Sequence, residues 1–244
     1  MKTLNLLLKT DNDVHTWPNT YFEGRRPALD LDAAIRERHS TRMFLPQQPV
    51  PQALVEEALA MAVHAPSNSN IQPWHMVFAS GSARDCLVKA LLEAAHRGPP
   101  NIPPLPESFQ HFRRELGAEV YGSMGIAHED KDGRAAAVMR NFEFFRAPLA
   151  GIVCMHRDLG PADAMSVGMF VQTLLLALTE RGLGTCVEVS IAGYPEVVRA
   201  QLAIPAELLI LCGLAVGYRD PEFPANKLHI SREPTEKNVV FLDN

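Results

Sequence analysis

Hydrophobic positions along this chain follow two rhythms. Spacings of three and four residues predict helices, and short unbroken apolar runs predict buried strands. Leu31, Ala34, Ile35 and Arg38 share one face of a first helix, with Asp30 placed as its N-cap. Leu54, Val55, Ala58, Leu59, Met61 and Ala62 mark a second helix, for which Pro51 suits the first helical position. His75-Met76-Val77-Phe78-Ala79 reads as a strand ended by Ser80-Gly81-Ser82, and residues 83–96 return to the helical spacing. Residues 99–106 are dense in proline, as a linker or lid boundary is. Beyond them Phe109, Phe112, Leu116, Val120 and Met124, and then Val138, Phe142 and Phe145, repeat at helical intervals, so residues 97–146 are expected to form a helical insertion. Further strands are expected at 149–155, 184–189 and 208–216, with helices at 162–181 and 195–202. The 162–181 helix is apolar on most sides, which suits the centre of a domain or an oligomer. Residues 11–27 read as an ordered polar arm. The ending, 217–244, reads as an irregular extension with a strand-like Val239-Val240-Phe241, long enough to cross a partner subunit.

Composition narrows the class. With 244 residues and 47% hydrophobic content the chain can form one large globular domain or two small ones, with ample material for a packed core. A formal net charge of -5 gives no general attraction to nucleic acid or to an anionic membrane, so any anion site must come from a local cluster. Cys86, Cys154, Cys186 and Cys212 are widely spaced without a C-x-x-C pair, the pattern of free thiols in a reducing compartment. The apolar start is interrupted by Asn5 and ends at Lys9, too short for an export signal. No uninterrupted apolar run reaches bilayer length, so the expected location is cytoplasmic.

Several chemistries are absent as motifs. There is no G-x-S-x-G, H-E-x-x-H or G-x-x-x-x-G-K-[ST], and Gly182-Leu183-Gly184 lacks the third glycine of a dinucleotide fingerprint. The nine histidines show no metal-ligand spacing, and no metal is expected. With no nucleophile or metal evident, catalysis requires a cofactor that brings its own reactivity. Arg38-His39-Ser40-Thr41-Arg42 offers two planar guanidiniums and a hydroxyl, which fit a phosphate; the same residues also suit a solvated helix end. Residues 66–73 form a polar loop bracketed by prolines. Its Asn68, Asn70 and Gln72 carry donors and acceptors of the kind a flavin pyrimidine edge needs, although proline, serine and asparagine equally make surface turns.

Four features taken together resemble the FMN-dependent nitroreductase family. They are Arg38-His39-Ser40-Thr41-Arg42, the loop from Ala65-Pro66-Ser67 to Gln72-Pro73-Trp74, Gly182-Leu183-Gly184-Thr185, and Arg232-Glu233-Pro234, in that order over nearly the whole chain. Within the family the insertion, with Asn141-Phe142-Glu143-Phe144-Phe145-Arg146-Ala147-Pro148, is similar to the nitrobenzoate and nitrobenzene reductase branch. The resemblance implies one domain over 1–244, an α+β, three-layer sandwich with a central, mainly antiparallel sheet flanked by helices, forming an intertwined homodimer with FMN at the interface. It implies that Arg38, His39, Ser40, Arg42 and Arg232 hold the ribityl phosphate, and that Pro66, Ser67, Asn68 and Asn70 line the flavin ring from the other subunit. Backbone N–H groups of Ser190, Ile191, Ala192 and Gly193 would face flavin N5 and O4. Some relatives carry a carboxylate near the position of Ala192, where the nearest acid here is Glu188.

The implied activity is ping-pong transfer of a hydride from NADH or NADPH, through the flavin, to a nitroaromatic or quinone-like acceptor. The flavin carries the chemistry, so no side chain is named as catalytic. Phe142, Phe145 and Tyr121, with Phe109 and Phe112, are candidates for lining the pocket of a small aromatic substrate, or for ordinary helix packing. Two alternatives stand beside this activity. One is a specialised flavin enzyme of the same fold, a reductive dehalogenase or a flavin-consuming enzyme; the other is a flavin-binding dimer without reductase activity.

Overall fold

The structure, a computed structural model of the chain, describes residues 29–242. Residues 1–9 and the expected arm at 11–27 lie outside the described residues. Helix α1 (Leu31–Glu37) begins where Asp30 accepts a hydrogen bond from the Ala33 N–H at 2.7 Å. Helix α2 (Gln52–Ala62) follows, with Pro51 at the N-cap and not inside the first turn as the sequence predicts. Strand β1 (His75–Ser80) runs directly into α3 (Gly81–Arg97). The expected three-residue break at 80–82 shrinks to Gly81 alone, whose φ of +53° makes the corner that a side chain would resist. Helices α4 (Gln110–Ser123) and α5 (Lys131–Met139) follow; the second expected helical pattern is split, because α5 keeps Val138 but ends at Met139, and Phe142 and Phe145 lie in a 3-10 segment at Arg140–Arg146 whose backbone turns left-handed at Phe144 and Phe145. Strand β2 (Leu149–His156), α6 (Pro161–Glu180), β3 (Gly184–Glu188), α7 (Pro195–Leu202) and β4 (Leu208–Gly217) complete the regular elements.

The four strands pair in the order β1-β2-β4-β3, every pair antiparallel. A bulge between Val153 and Cys154 lets Leu211 loop out, so the alternation of β4 flips part-way along. On one face of the sheet Leu214, Val216, Phe78 and Leu149 pack under α2 and α6, and Trp74 stacks on Phe170 with centroids 4.7 Å apart. On the other, Ala150, Ile152, Cys154 and Ala215 pack under α3, α7 and the Phe142–Phe145 turn. The result is three layers, helix on sheet on helix, as expected. Helix α6 is long and apolar enough to cross a bilayer by length and composition, which the sequence reading did not allow for. Its Phe170, Leu174 and Leu178 are instead buried against α2 and the sheet, so its apolarity is that of a core helix.

The tail returns along the sheet edge and then leaves it. Arg219 bridges Phe44, and beyond Lys237 the chain runs on as Val239, Val240 and Phe241, exposed by 43%, 77% and 86%. The strand expected at 239–241 does not form, because no sheet edge among the described residues lies beside it to satisfy its N–H and C=O groups.

Candidate phosphate and flavin site

Residues 38–42 leave α1 as extended chain and join the sheet. Ser40 forms a parallel bridge to Thr185 of β3, and the Thr41 N–H donates to the Thr185 carbonyl at 2.9 Å. Side chains therefore alternate. Thr41 is fully buried, so close to Gly184 that a Cβ there would lie 2.6 Å from its Oγ1. Arg38, Ser40 and Arg42 face an outer cleft of about 1060 Å³, and His39 lines the same cleft.

That cleft gathers charge from both ends of the chain. Arg36, Arg38, Arg42, Arg219 and Arg232 line it, with His39 and His229, against the single acid Glu37. Arg36 is tied to Asp32 at 3.1 Å and Arg219 to Glu37 at 3.7 Å. Arg38, Arg42 and Arg232 have no acidic partner among the described residues; Arg42 donates to the Ser40 carbonyl and Arg232 to those of Ile230 and Ser231. Burial, and then the neighbouring Arg232 charge, hold Arg38 below the ordinary arginine range. Two guanidiniums brought together without a carboxylate make a site for an anion. His39 donates from Nδ1 to the Glu37 carbonyl, 2.8 Å away, while its buried Nε2 has no partner among the described residues. A protonated nitrogen is the one that can donate to that carbonyl, which leaves Nε2 as an open acceptor for a hydroxyl. Burial also lowers the His39 pKa, in keeping with a neutral ring.

Ser40, Arg42 and Leu116 also line a second, inner cleft of about 360 Å³, so the two adjoin. One face of α4 covers the inner cleft, with Tyr121 among its residues; Phe145, Asn141, Cys186 and Val187 lie opposite. Phe145 is turned toward it by three successive left-handed residues, Phe144, Phe145 and Arg146, with φ of 52°, 50° and 65°. Such backbone costs about 1–2 kcal/mol per residue and persists where packing imposes it. Phe142 takes a different place. It is buried in the core, edge-on to Tyr194 at 5.4 Å, and lines neither cleft. Phe109 and Phe112 are exposed on the outer side of α4.

The loop at 66–73 is built but stands elsewhere. The Asn68 N–H donates to Ser166 Oγ at 3.1 Å, and its Nδ2 donates to Asp163 at 3.2 Å, both at the start of α6. The Gln72 N–H donates to Ser67 Oγ, and Ser69, Asn70 and Gln72 are all left-handed. Pro66, Asn68 and Asn70 are exposed and Ser67 half-buried, and none of them lines either cleft. Strand register measures the gap. From Ser40 to Ser80 the rows cross four pairings through Thr185, Val216 and Leu149, and the loop enters β1 five residues further on, at His75. At strand spacings of ~4.8 Å and rises of ~3.3 Å this is a diagonal of roughly 25 Å. The two motifs do not meet within one chain.

Residues 190–193 form a 3-10 turn after β3 and line neither cleft. Ile191 is fully buried, and Gly193 lies beneath the proline-rich segment, where the Asn101 N–H donates to its carbonyl at 3.0 Å. The nearby Glu188 is 3% exposed, neither carboxylate oxygen has a partner, and burial raises its pKa well above the ordinary range. Sequence reasoning missed Arg219, Asn226 and His229 in the outer cleft and Arg113, Arg140 and Asn141 in the inner one. No short spacing could have found them; they converge only through the tail and the insertion. Among the described residues no group of histidine, cysteine, aspartate or glutamate could hold a metal ion.

A sequence model of the nitroreductase family matches residues 35–218. The chain is 34% identical over 227 residues to the 4-nitrobenzoate reductase of Nocardioides sp. (strain LMS-CY), covering 88% of this chain and 92% of that one. It is 34% identical over 224 residues to the nitrobenzene nitroreductase of Ectopseudomonas oleovorans, covering 87% and 96%. Among solved structures, the FMN-dependent nitroreductase NfnB from Mycobacterium smegmatis, in complex with NADPH, superposes with a TM-score of 0.80 at 30% identity, over 87% of this chain and 97% of that one. A second NfnB, described as FMN- and NADPH-dependent and from Sphigopyxis sp. strain HMH, gives 0.84 at 29%, over 88% and 100%. The chain belongs to the nitroreductase family.

Proposed function

We propose that this chain is a single-domain FMN-dependent NAD(P)H oxidoreductase that reduces nitroaromatic acceptors and works as a homodimer. The observation that carries the reading is the convergence of Arg38, Arg42 and Arg232, without acidic partners among the described residues, on one cleft that adjoins a smaller, partly aromatic one. The donor set fits FMN. Arg38, Arg42 and Arg232 would bind the phosphate as planar forks, Ser40 would add a hydroxyl, and the open Nε2 of His39 would accept from a ribityl hydroxyl. Asn141 would meet the polar edge of the ring in the inner cleft, against Val187 and Phe145. Bound there, the flavin supplies hydride transfer between a reduced nicotinamide and a nitro group. The chain's own contribution is to bind, orient and shield, with α4 covering the ring from water.

The separated loop supports the dimer. Pro66, Ser67, Asn68 and Asn70 are held rigidly and offered outward, roughly 25 Å from the grip by strand register. A second chain would bring its loop to the first chain's cleft. Apolar residues on the adjoining helices face outward and await burial: Leu31 (66%) and Ile35 (50%) on α1, and Met165 (65%) on α6. Ile35 and Gln172 of these same helices line the outer cleft, so an interface over them would close it. Four free cysteines suit the cytoplasm.

Purified protein should be yellow, bleach with NADPH or NADH under anaerobic conditions, and recolour on adding a nitroarene. A colourless protein that takes up no added FMN sinks the reading.

A further inference from the structure

We infer that the exposed strip of helix α6 packs antiparallel against the same strip of a second copy, with Met165 of each chain seated on Gly168 of the other. This rests on the homodimer proposed above and names the surface and register by which one chain's loop reaches the other's cleft.

The two sides of α6 differ in what they touch. Asp163, Ser166, Phe170 and Leu174 are buried toward the body of the chain, whereas Pro161, Met165, Gly168 and Gln172, at spacings of four, three and four, are exposed. These four make one strip about three turns long. Within it a long thioether side chain stands three residues before a bare backbone: Met165 is 65% exposed, and a Cβ built on Gly168 would meet nothing within 4 Å. Knob and hole on one helix cannot fill each other. A second copy fills both. Two strips running antiparallel about a two-fold axis level with Ser166 and Val167 set position 165 of each chain opposite 168 of the other, and 161 opposite 172. Such a contact is self-complementary, as a closed two-chain interface requires, and glycine lets the two helices approach closely. Only a copy of the same strip offers hole and knob at the matching spacing, which favours this occupant over another protein. Leu31 and Ile35, exposed on the neighbouring helix α1, would be covered with it.

The register has a consequence for the flavin site. Asp163 and Ser166, near the start of α6, hold Asn68 of the loop at 3.2 and 3.1 Å, while Gln172 lines the outer cleft. With position 161 opposite 172, antiparallel packing carries one chain's loop to the part of the helix where the other's cleft opens, and the two-fold does so twice. Parallel packing would leave each loop roughly 15 Å along the helix axis from that cleft.

Disulfide trapping tests the register. In a Cys86→Ser background, which removes the exposed thiol, chains carrying Met165→Cys and chains carrying Gly168→Cys are co-expressed with different tags and mildly oxidised. The mixed product should exceed either self-linked product severalfold on a non-reducing gel, because facing Cβ atoms come within disulfide reach. A dimer that yields no cross-link, or chiefly self-linked chains, overturns the inference. Gly168→Leu gives a second measurement. Nothing stands where its side chain would go and leucine is the better helix former, so the chain should fold, while the dimer should come apart at a protein concentration tenfold or more higher than the wild type does. FMN affinity at that dilution should fall with it. A Gly168→Leu dimer as tight as the wild type overturns the inference; should this variant fail to fold, the cross-link decides. Trapping needs neither flavin nor turnover, so the two proposals fail separately. A colourless protein that cross-links in register overturns the nitroreductase function and leaves this contact standing, whereas a yellow dimer that does not cross-link overturns the contact alone.

Discussion

The backbone N–H of Arg42 donates to Oδ1 of Asn226 across 2.6 Å, joining residues 38–42, the proposed phosphate grip, to the C-terminal extension. The same amide donates through Nδ2 to the carbonyls of Met43 at 2.8 Å and Asp220 at 2.9 Å. One largely buried side chain therefore sets how the tail, and Arg232 with it, lies against residues 38–42. Asn226→Ala should leave these backbone groups unpaired and destabilise the fold by about 1–3 kcal/mol. FMN affinity should fall together with thermal stability. Unchanged melting and unchanged flavin titration would show that the tail is held in place by something else.

Arg38 and Arg232 are the test of the grip itself. Each should contribute a charge-assisted contact, so Arg38→Ala or Arg232→Ala should weaken FMN by about 1.5–3 kcal/mol, read by fluorescence titration of the apoprotein. Because the two cations also repel each other, removing either relieves Arg38 or Arg232 in the empty site. Folding stability without FMN should accordingly stay the same or rise slightly.

A heterodimer tests the partner's loop. Chains carrying Arg38→Ala and Arg232→Ala should lose both sites as a homodimer, as should chains with Asn68→Ala and Asn70→Ala. Co-expressed, they should form a heterodimer in which one site combines both defects and the other is intact. Half the wild-type flavin content is expected; no flavin would place grip and loop in the same chain's site.

Glu188 gives the chain a pH dependence with a definite sign. Burial raises its folded pKa well above 4.5, so above that pH the unfolded chain releases the proton while the folded chain keeps it. The folded state then binds more protons, and its stability is lost as pH rises from 4.5 toward the folded pKa. Glu188→Gln, neutral in both states, should raise the melting temperature at pH 8, with the gain shrinking toward pH 4.5. A constant difference across that window would mean the carboxylate is not buried unpaired.

Asp163 holds the loop. It accepts from the Asn68 amide at 3.2 Å and caps the Gly160 N–H at 3.0 Å. Asp163→Ala should cost about 1–2 kcal/mol, the worth of a cap, and should speed amide hydrogen exchange at residues 68–72 before any change in the sheet. Slower flavin binding would accompany it if the loop completes the partner's site.

Local pattern was enough for most of the architecture. Periods of two and of three to four residues in the apolar positions placed ten of the eleven regular elements within a few residues, because burial on a sheet or against a helix stripe is a local demand on the sequence. Where it failed, the cause was tertiary. Gly81 lets strand and helix abut without a loop, and residues 239–241 remain unpaired because a strand needs an edge that none of the described residues brings them.

Arg38-His39-Ser40-Thr41-Arg42 and the 66–73 loop were readable as motifs, since the donor geometry of arginine and asparagine is written in the residues themselves. Their relation was not. Only the strand order, with Ser40 on the β3 edge and the loop feeding β1 at the other edge, sets them apart. Only folding brings Arg232 beside Arg38, and only folding sends Phe142 into the core while strained backbone turns Phe145 to the cleft. Side-chain chemistry is a property of each residue, whereas convergence is a property of the path between them, and that path is set by packing over the whole chain.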